Sequence, residues 1–353
     1  MSGGAIRHGI RPDDLAHCRA VIRTGSLSFH TASRMLPASV RDPALALYAF
    51  CRLVDDEVDE GHDKVRAVLA LGARLERVYA GAPRDAPEDR AFAAIVAAYR
   101  IPRALPEALL EGLAWDAEGR RYGGIGEVRG YSARVASAVG AMMCVLMGVR
   151  DRHALARACD LGVAMQLTNI ARDVGEDAAA GRIYLPLDWL AEAGLTPEAF
   201  LARPEATPDM RALVARLLEE ARRLYIRSEA GVPRLPQNAR LGIYAARFIY
   251  AGIGTELRRQ GHDSITRRAR TGRMQKLGWL GKSALYAGGS MLLPQPATLY
   301  APPLAETAFL VDAVAERGQA SPWWGAGRTG ALLETLAALK ARDGAAGQQG
   351  RRA

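Results

Sequence analysis

Apolar residues along this chain recur at three- and four-residue steps, and runs alternating with a period of two are scarce. That periodicity predicts amphipathic helices and an all-α fold. A first helix is expected over 11–23. Ser26-Leu27-Ser28-Phe29 then reads as a break that offers N-cap hydroxyls. A second helix runs to Leu36 and is ended by Pro37, and Pro43 opens a third that stops at Gly61-His62-Asp63. Helices near 64–80 and 87–100 flank a loop rich in Pro and Gly. Pro106 starts the helix carrying Trp115-Asp116, and Gly123, Gly124 and Gly126 mark a connection. Residues 131–149 read as one long apolar helix, followed by helices over 152–176, 187–193, 208–230 and 235–260. After residue 300 the pattern weakens. Residues 305–317 and 330–341 read as helices, and the Gly- and Gln-rich tail from 344 reads as disordered. The expected organisation is a helical domain over 1–300 and a partly disordered extension over 301–353.

Two of these helices carry polar positions in an otherwise apolar setting. Leu45-Ala46-Leu47-Tyr48-Ala49-Phe50-Cys51 leads into Asp55 and Asp59, and Leu161-Gly162-Val163-Ala164-Met165 leads toward Asp173 and Asp177. A helical Asp-x-x-x-Asp by itself is usually a solvated face, since like charges one turn apart repel mildly. The apolar flanks point elsewhere. At about 100° per residue, Tyr48, Arg52, Asp55 and Asp59 share one narrow stripe, and Gln166, Asn169, Asp173 and Asp177 share another. Two such stripes predict polar walls of a cavity inside a bundle. Carboxylates on facing walls suit hard divalent cations, whose open positions phosphate oxygens then fill.

The remaining features narrow the partners. The 353 residues suffice for one large core, and no 20–50-residue repeat is present. Cys18, Cys51, Cys144 and Cys159 lie in apolar helical settings without metal or redox spacing, so they read as reduced buried thiols. The first residues lack an apolar signal core, and no apolar run is long enough for a membrane span. The net charge of +9 gathers at Arg258-Arg259, Arg267-Arg268, Arg270, Arg273 and Lys276. Without interleaved aromatics or a binding motif, this cluster does not suggest nucleic acid. Its neighbours Trp279 and Leu280 suit an interfacial membrane contact, with those two residues inserting shallowly.

With both acidic motifs placed, the chain resembles the squalene/phytoene synthase family over roughly 20–285. One signature is Ser28-Phe29 through Leu36-Pro37 to Tyr48-Ala49-Phe50-Cys51-Arg52 and Asp55-Asp56-x-x-Asp59. The other is Gln166-Leu167-Thr168-Asn169-Ile170-x-Arg172-Asp173-x-x-Glu176-Asp177, then Gly181-Arg182-Ile183-Tyr184-Leu185-Pro186. The wording is most similar to bacterial members of carotenoid pathways. Ser132 and Ser137 stand where the family usually carries Cys and often Gly, which bears on local packing.

The resemblance implies the isoprenoid synthase bundle with a central cavity and head-to-head condensation of two geranylgeranyl diphosphates through prephytoene diphosphate to phytoene. It implies Mg2+, with Mn2+ as a substitute, held by Asp55, Asp59, Asn169, Asp173 and Asp177, and no NADPH. Asp55, Asp59, Asp173, Asp177 and Tyr131 become the catalytic candidates. Ser26, Ser28, Phe29, Tyr48, Arg52, Gln166, Arg172, Arg182 and Tyr250 become the substrate-binding candidates. Arginine forks suit phosphate oxygens, and aromatic faces suit passing carbocations. Ser33 and Leu45, one turn from Phe29 and Tyr48, are expected to border an apolar cavity open to twenty-carbon chains. Expected location is cytoplasmic, peripheral to the inner membrane face, with other carotenoid-pathway enzymes as possible partners. Two alternatives stay open: a synthase of presqualene diphosphate, squalene or dehydrosqualene acting on farnesyl diphosphate, and a non-catalytic scaffold of the same fold.

Overall fold

A computed structural model describes residues 8–60, 64–291 and 294–315, without the side chains of Leu27, Ser28, Asp55, Val58, Asp59, Glu60, Lys64, Val65 and Arg273. The described residues form helices and contain no strand. In chain order these are α1 (Pro12–Gly25), α2 (Leu27–Ser33), α3 (Ala38–Glu60), α4 (Lys64–Tyr79), α5 (Pro87–Tyr99), α6 (Ala104–Ala117), α7 (Ile125–Ser132) and α8 (Ala138–Leu146). Then come α9 (Arg152–Ala179), α10 (Leu187–Glu192), α11 (Pro197–Ala202), α12 (Pro208–Glu229), α13 (Gln237–Arg259), α14 (Arg273–Gly289) and α15 (Ala308–Ala315). The predicted 330–341 helix and the tail fall outside the described residues.

Several boundaries differ from the sequence reading for physical reasons. α3 begins at Ala38, because the Pro37 carbonyl already accepts from the Val40 and Arg41 amides. Pro43 therefore lies inside the helix, where its missing N–H removes only one intrahelical bond close to the unpaired first turn. The expected 131–149 helix begins earlier, at Ile125, and is interrupted by a π-helical segment, Ala133–Ser137. α11 and α14 were not among the expected helices.

α9 is the axis of the molecule. The Asp151 carboxylate caps it by accepting from the Ala154 amide at 2.9 Å. It is buried along much of its length, as a helix with apolar residues on several sides must be. α12 packs along it, burying Leu213, Val214, Leu217, Ala221 and Leu224. The π segment crosses it so closely that a Cβ on Gly162 would lie 2.5 Å from the Ser137 Cα. On the far side, a Cβ on Gly112 of α6 would meet the Val135 side chain at 2.6 Å. The two serines noted above are satisfied there: the Ser137 hydroxyl donates to the Cys159 carbonyl at 2.7 Å, and that of Ser132 to the Val128 carbonyl at 2.8 Å.

The chain after residue 296 returns to the same axis. Arg157 of α9 is fully buried and pairs with buried Asp160 at 2.7 Å. Its guanidinium also donates to the carbonyls of Thr298 (2.5 Å), Ala301 (3.1 Å) and Pro302 (3.3 Å). α15 then places Leu310, Val311 and Val314 in the core against α6, α8 and α9.

Gly162→Ala should therefore be costly, because its neighbour is backbone and cannot swing away. The expected loss is about 1–3 kcal/mol, the range for overpacking a tight core. Urea unfolding monitored by circular dichroism measures it, and an unchanged midpoint would mean that the crossing relaxes freely.

Candidate active site

A cavity of about 660 Å³ opens alongside α9. The N-terminal half of α9 gives it an apolar wall at Ala154, Ala158 and Leu161, and the C-terminal half gives a polar wall at Gln166, Asn169, Asp173 and Asp177. α3 lines it with Leu45, Tyr48 and Arg52, and α2 with Phe29 and Ser33. The α6 residues Leu109, Leu113 and Asp116 share one face and line it together.

Most of the candidate residues converge here. Asn169, Gln166, Arg172, Asp173 and Asp177 line the cavity, as do Ser26, Phe29, Tyr48, Arg52, Tyr131 and Tyr250. Ser26 caps α2, its hydroxyl accepting from the Phe29 amide at 3.3 Å. Phe29 stands between two phenols, with ring centroids 6.0 Å from Tyr48 and 5.2 Å from Tyr250. Ser33 and Leu45 both border the apolar portion, the places expected of them. Arg182 does not line the main cavity. It follows α9 in a side pocket with Asp177 and Tyr184. The side chains of Ser28, Asp55 and Asp59 lie outside the described residues, although α3 carries positions 55 and 59 in helical backbone continuous with Tyr48 and Arg52.

The charges at the mouth interlock. The Arg172 guanidinium donates through Nε to the Asp173 carboxylate at 2.8 Å, and Arg268 donates to the same carboxylate at 3.0 Å. Arg268 also reaches Glu176 at 3.2 Å. A tight loop brings it there. Asp263 accepts from the Thr266 amide (2.9 Å) and hydroxyl (2.7 Å) and from Arg211 (3.1 Å). Gly175 lets that loop touch α9: its amide donates to the Ser264 carbonyl at 3.0 Å, and a Cβ there would come 2.7 Å from the Ile265 carbonyl oxygen. Arg268 therefore belongs to the cavity mouth, which removes it from the basic cluster assigned above to a membrane.

Three residues with contacts in the site were not assigned from sequence: Asp116, Tyr184 and Arg268. The Asp116 carboxylate accepts from the Tyr131 hydroxyl at 2.8 Å and from Tyr184 at 2.7 Å. Burial first, and the Asp116 charge second, push both phenols well above their ordinary pKa, so they remain protonated donors. Asp116 had a readable signal, a single carboxylate on the face shared by Leu109 and Leu113. Arg268 had none, because its placement depends on a long-range loop contact.

The residues on α9 suit a hard cation. The Asn169 Oδ1 is buried with no protein partner, an acceptor left over for a cation. Among the described residues no group of three Asp, Glu, His or Cys side chains is placed to hold a metal ion. Burial, reinforced by the nearby Asp173 charge and opposed by Arg182, raises Asp177 to about 7.

Comparison with known proteins follows this geometry. The squalene/phytoene synthase family model matches residues 22–275. The phytoene synthase of Cereibacter sphaeroides is 61% identical over 94% of this chain and 94% of its own. That of Rhodobacter capsulatus is 58% identical over 94% and 97%. Among solved structures, a dehydrosqualene synthase aligns with TM-score 0.73 at 29% identity, covering 78% of this chain and 97% of its own. A squalene synthase from Alicyclobacillus acidocaldarius gives 0.65 at 28%, covering 72% and 98%. These neighbours share the all-helical isoprenoid synthase fold.

The elevated Asp177 pKa has a stability consequence. Between an ordinary carboxylate pKa and about 7, the unfolded chain releases this proton while the folded protein keeps it. The folded state then binds more protons, so stability contributed at this site falls as pH rises through that window. In metal-free buffer, Asp177→Asn should lack that decline and melt at or above the wild-type temperature near pH 8. Thermal melts from pH 5 to 8 check it, and parallel curves for the two proteins would refute the burial argument.

Proposed function

The chain belongs to the squalene/phytoene synthase family, and on that premise we propose that it condenses two geranylgeranyl diphosphates head to head to phytoene. Its place is in carotenoid biosynthesis, as a prenyltransferase. The observation that carries the reading is the continuous wall of α9, apolar at Ala158 and acidic at Asp173. Those two positions stand about 22 Å apart along the helix at 1.5 Å per residue. A charged head and a twenty-carbon tail fit one such wall.

Asn169, Asp173 and Asp177, with Asp55 and Asp59 from α3, are the proposed ligands of Mg2+, for which Mn2+ can substitute. Bound there, the metal supplies Lewis-acid neutralisation of a leaving diphosphate. Arg52, Arg172 and Arg268 offer guanidinium donors to phosphate oxygens at the same mouth, and Arg182 stands beside Asp177 in the adjoining pocket. Ionisation of one allylic C–O bond leaves a carbocation, which the double bond of the second substrate attacks. Proton loss closes the cyclopropane of prephytoene diphosphate. A second ionisation, rearrangement and proton loss give phytoene, so two diphosphates and two protons leave per product. The cavity's apolar half excludes water from these cations, and Phe29, Tyr48 and Tyr250 present π faces to them. Tyr131 and Tyr184, protonated and bonded to Asp116, hold that carboxylate at the cavity wall. No hydride is transferred, so no NADPH is required.

The product is a hydrocarbon, and its release into water is costly at about 0.8 kcal/mol per exposed CH₂. Peripheral docking to the cytoplasmic membrane face meets that need. Among the described residues no helix is long and apolar enough to cross a membrane. α14 has the form of a docking helix. Trp279 packs inward, so close to Gly252 that a Cβ there would lie 2.2 Å from the indole, and this corrects the expectation that it inserts. The outward stripe is instead Met274 (78% exposed), Leu277 (59%) and Leu285 (77%), interspersed with Gly278, Gly281 and Gly288. Lys282 on α14, and Arg267 and Arg270 before it, match an anionic lipid surface, whereas Lys276 falls about 180° around the helix from Leu285.

Purified protein with geranylgeranyl diphosphate and Mg2+, without NADPH, should yield phytoene in the organic extract. EDTA should stop turnover reversibly, and Asp173→Asn should lower it by about two orders of magnitude or more. Product from farnesyl diphosphate alone would shift the assignment to the shorter-chain alternative, and no product from either would leave the scaffold reading.

In flotation with anionic liposomes, wild type should bind at low salt and dissociate as salt rises. The triple change of Met274, Leu277 and Leu285 to Ser should abolish binding and spare turnover in detergent. Equal flotation of the two proteins would mean that α14 is not the docking surface.

A further inference from the structure

α3 ends in an unusual concentration of charge. Asp55, Asp56, Glu57, Asp59 and Glu60 crowd the C-terminal end of the helix, and no basic residue occupies its last turn. Helix C-termini already carry partial negative charge, so carboxylates there meet both the dipole and one another. Such an end frays unless something outside holds it. Two arginines do so. Arg52 donates through Nε to Asp56 at 2.9 Å, one turn along the same helix. Arg74 approaches from α4 and donates to Glu57 at 2.5 Å.

Arg74 is not a surface partner. Its side chain is 5% exposed, and its Nε is shared between both oxygens of Asp89, at 2.6 and 2.8 Å. Asp89 is fully buried in the first turn of α5, where the positive end of the helix dipole favours a carboxylate. Charge thus alternates from the positive α5 N-terminus through Asp89 and Arg74 to Glu57 near the end of α3. Glu57 is about 180° around α3 from the cavity-lining Tyr48 at 100° per residue. Holding Glu57 at the back of the helix turns the stripe of Tyr48, Arg52 and positions 55 and 59 toward the cavity.

We infer that Glu57 and Arg74, anchored by Asp89, are positioning residues that set the rotation and order of the last turn of α3 and so pre-organise the first acidic pair for metal–diphosphate binding. The inference rests on the metal-dependent reading given above. Neither Arg74 nor Asp89 lines the cavity, so both act through α3 rather than on substrate.

The decisive variants are Glu57→Ala and Glu57→Gln, because Glu57 is partly exposed and both proteins should fold. Both remove one negative charge, but only Gln keeps an acceptor for Arg74. The probe is Mn2+, titrated by electron paramagnetic resonance in the presence of inorganic diphosphate. E57A should weaken Mn2+ binding by about tenfold, the scale on which outer-shell partners act, and E57Q by much less. In turnover assays E57A should need correspondingly more Mg2+ for half-maximal rate and recover most of kcat at saturation. Wild-type binding by E57A overturns the inference. So does equal weakening in both variants, which would show that only charge matters. If wild type binds no Mn2+ under these conditions, the metal-dependent reading fails first and takes this inference with it.

Discussion

Like charges forced together beside a dry cavity are the constraint on which this structure turns. Carboxylates gather at one end of α9, where burial and the charge of Asp173 both act against ionised Asp177. Asp177 shows the tension directly, with its pKa raised to about 7. The surrounding architecture answers with arginines fixed by something else. Arg172 and Arg268 converge on Asp173, and Arg268 is carried there by a loop that Asp263 and Gly175 fix in place. Arg74 reaches the α3 end from a buried pair with Asp89. Arg268 and Arg74 each hold a second carboxylate, Glu176 and Asp89 respectively.

The same constraint explains the division of the cavity. A helix that carries acids at one end must bury an apolar face at the other to remain in the core. α9 does both along a single wall, with Ala158 and Leu161 giving way to Asn169 and Asp173. The π segment after α7 and the close crossing at Gly162 bring Tyr131 and Val135 onto the opposite wall. Small residues at crossings and acids at the mouth are therefore parts of one arrangement.

How much of this was readable in the sequence follows from range. Helical periodicity gave the elements and the stripe of Gln166, Asn169, Asp173 and Asp177, because side chains on one helix obey local geometry. The start of α3 was misplaced since Pro43 is tolerated near a helix start, and the π segment was missed because one extra residue in a turn leaves no compositional trace. Arg268 was misread as a membrane contact because nothing within its own segment reveals that Gly175 admits its loop. Trp279 was expected outside, yet Gly252 on another helix makes room for it inside. Errors cluster where a contact joins distant parts of the chain.

Arg157 has a bearing on how the polypeptide reaches this state. Its guanidinium is closed off from water, and its carbonyl partners lie between Thr298 and Pro302. A chain emerging N-terminus first exposes Arg157 long before those carbonyls exist. Until they arrive, the N-terminal part of α9 cannot become dry without leaving a charge only partly compensated. Completion of the helix environment around Arg157 thus waits for residues 298–302. The segment after residue 296 acts as a strap across α9, closing the polar shell of Arg157 from a part of the chain about 140 residues further on.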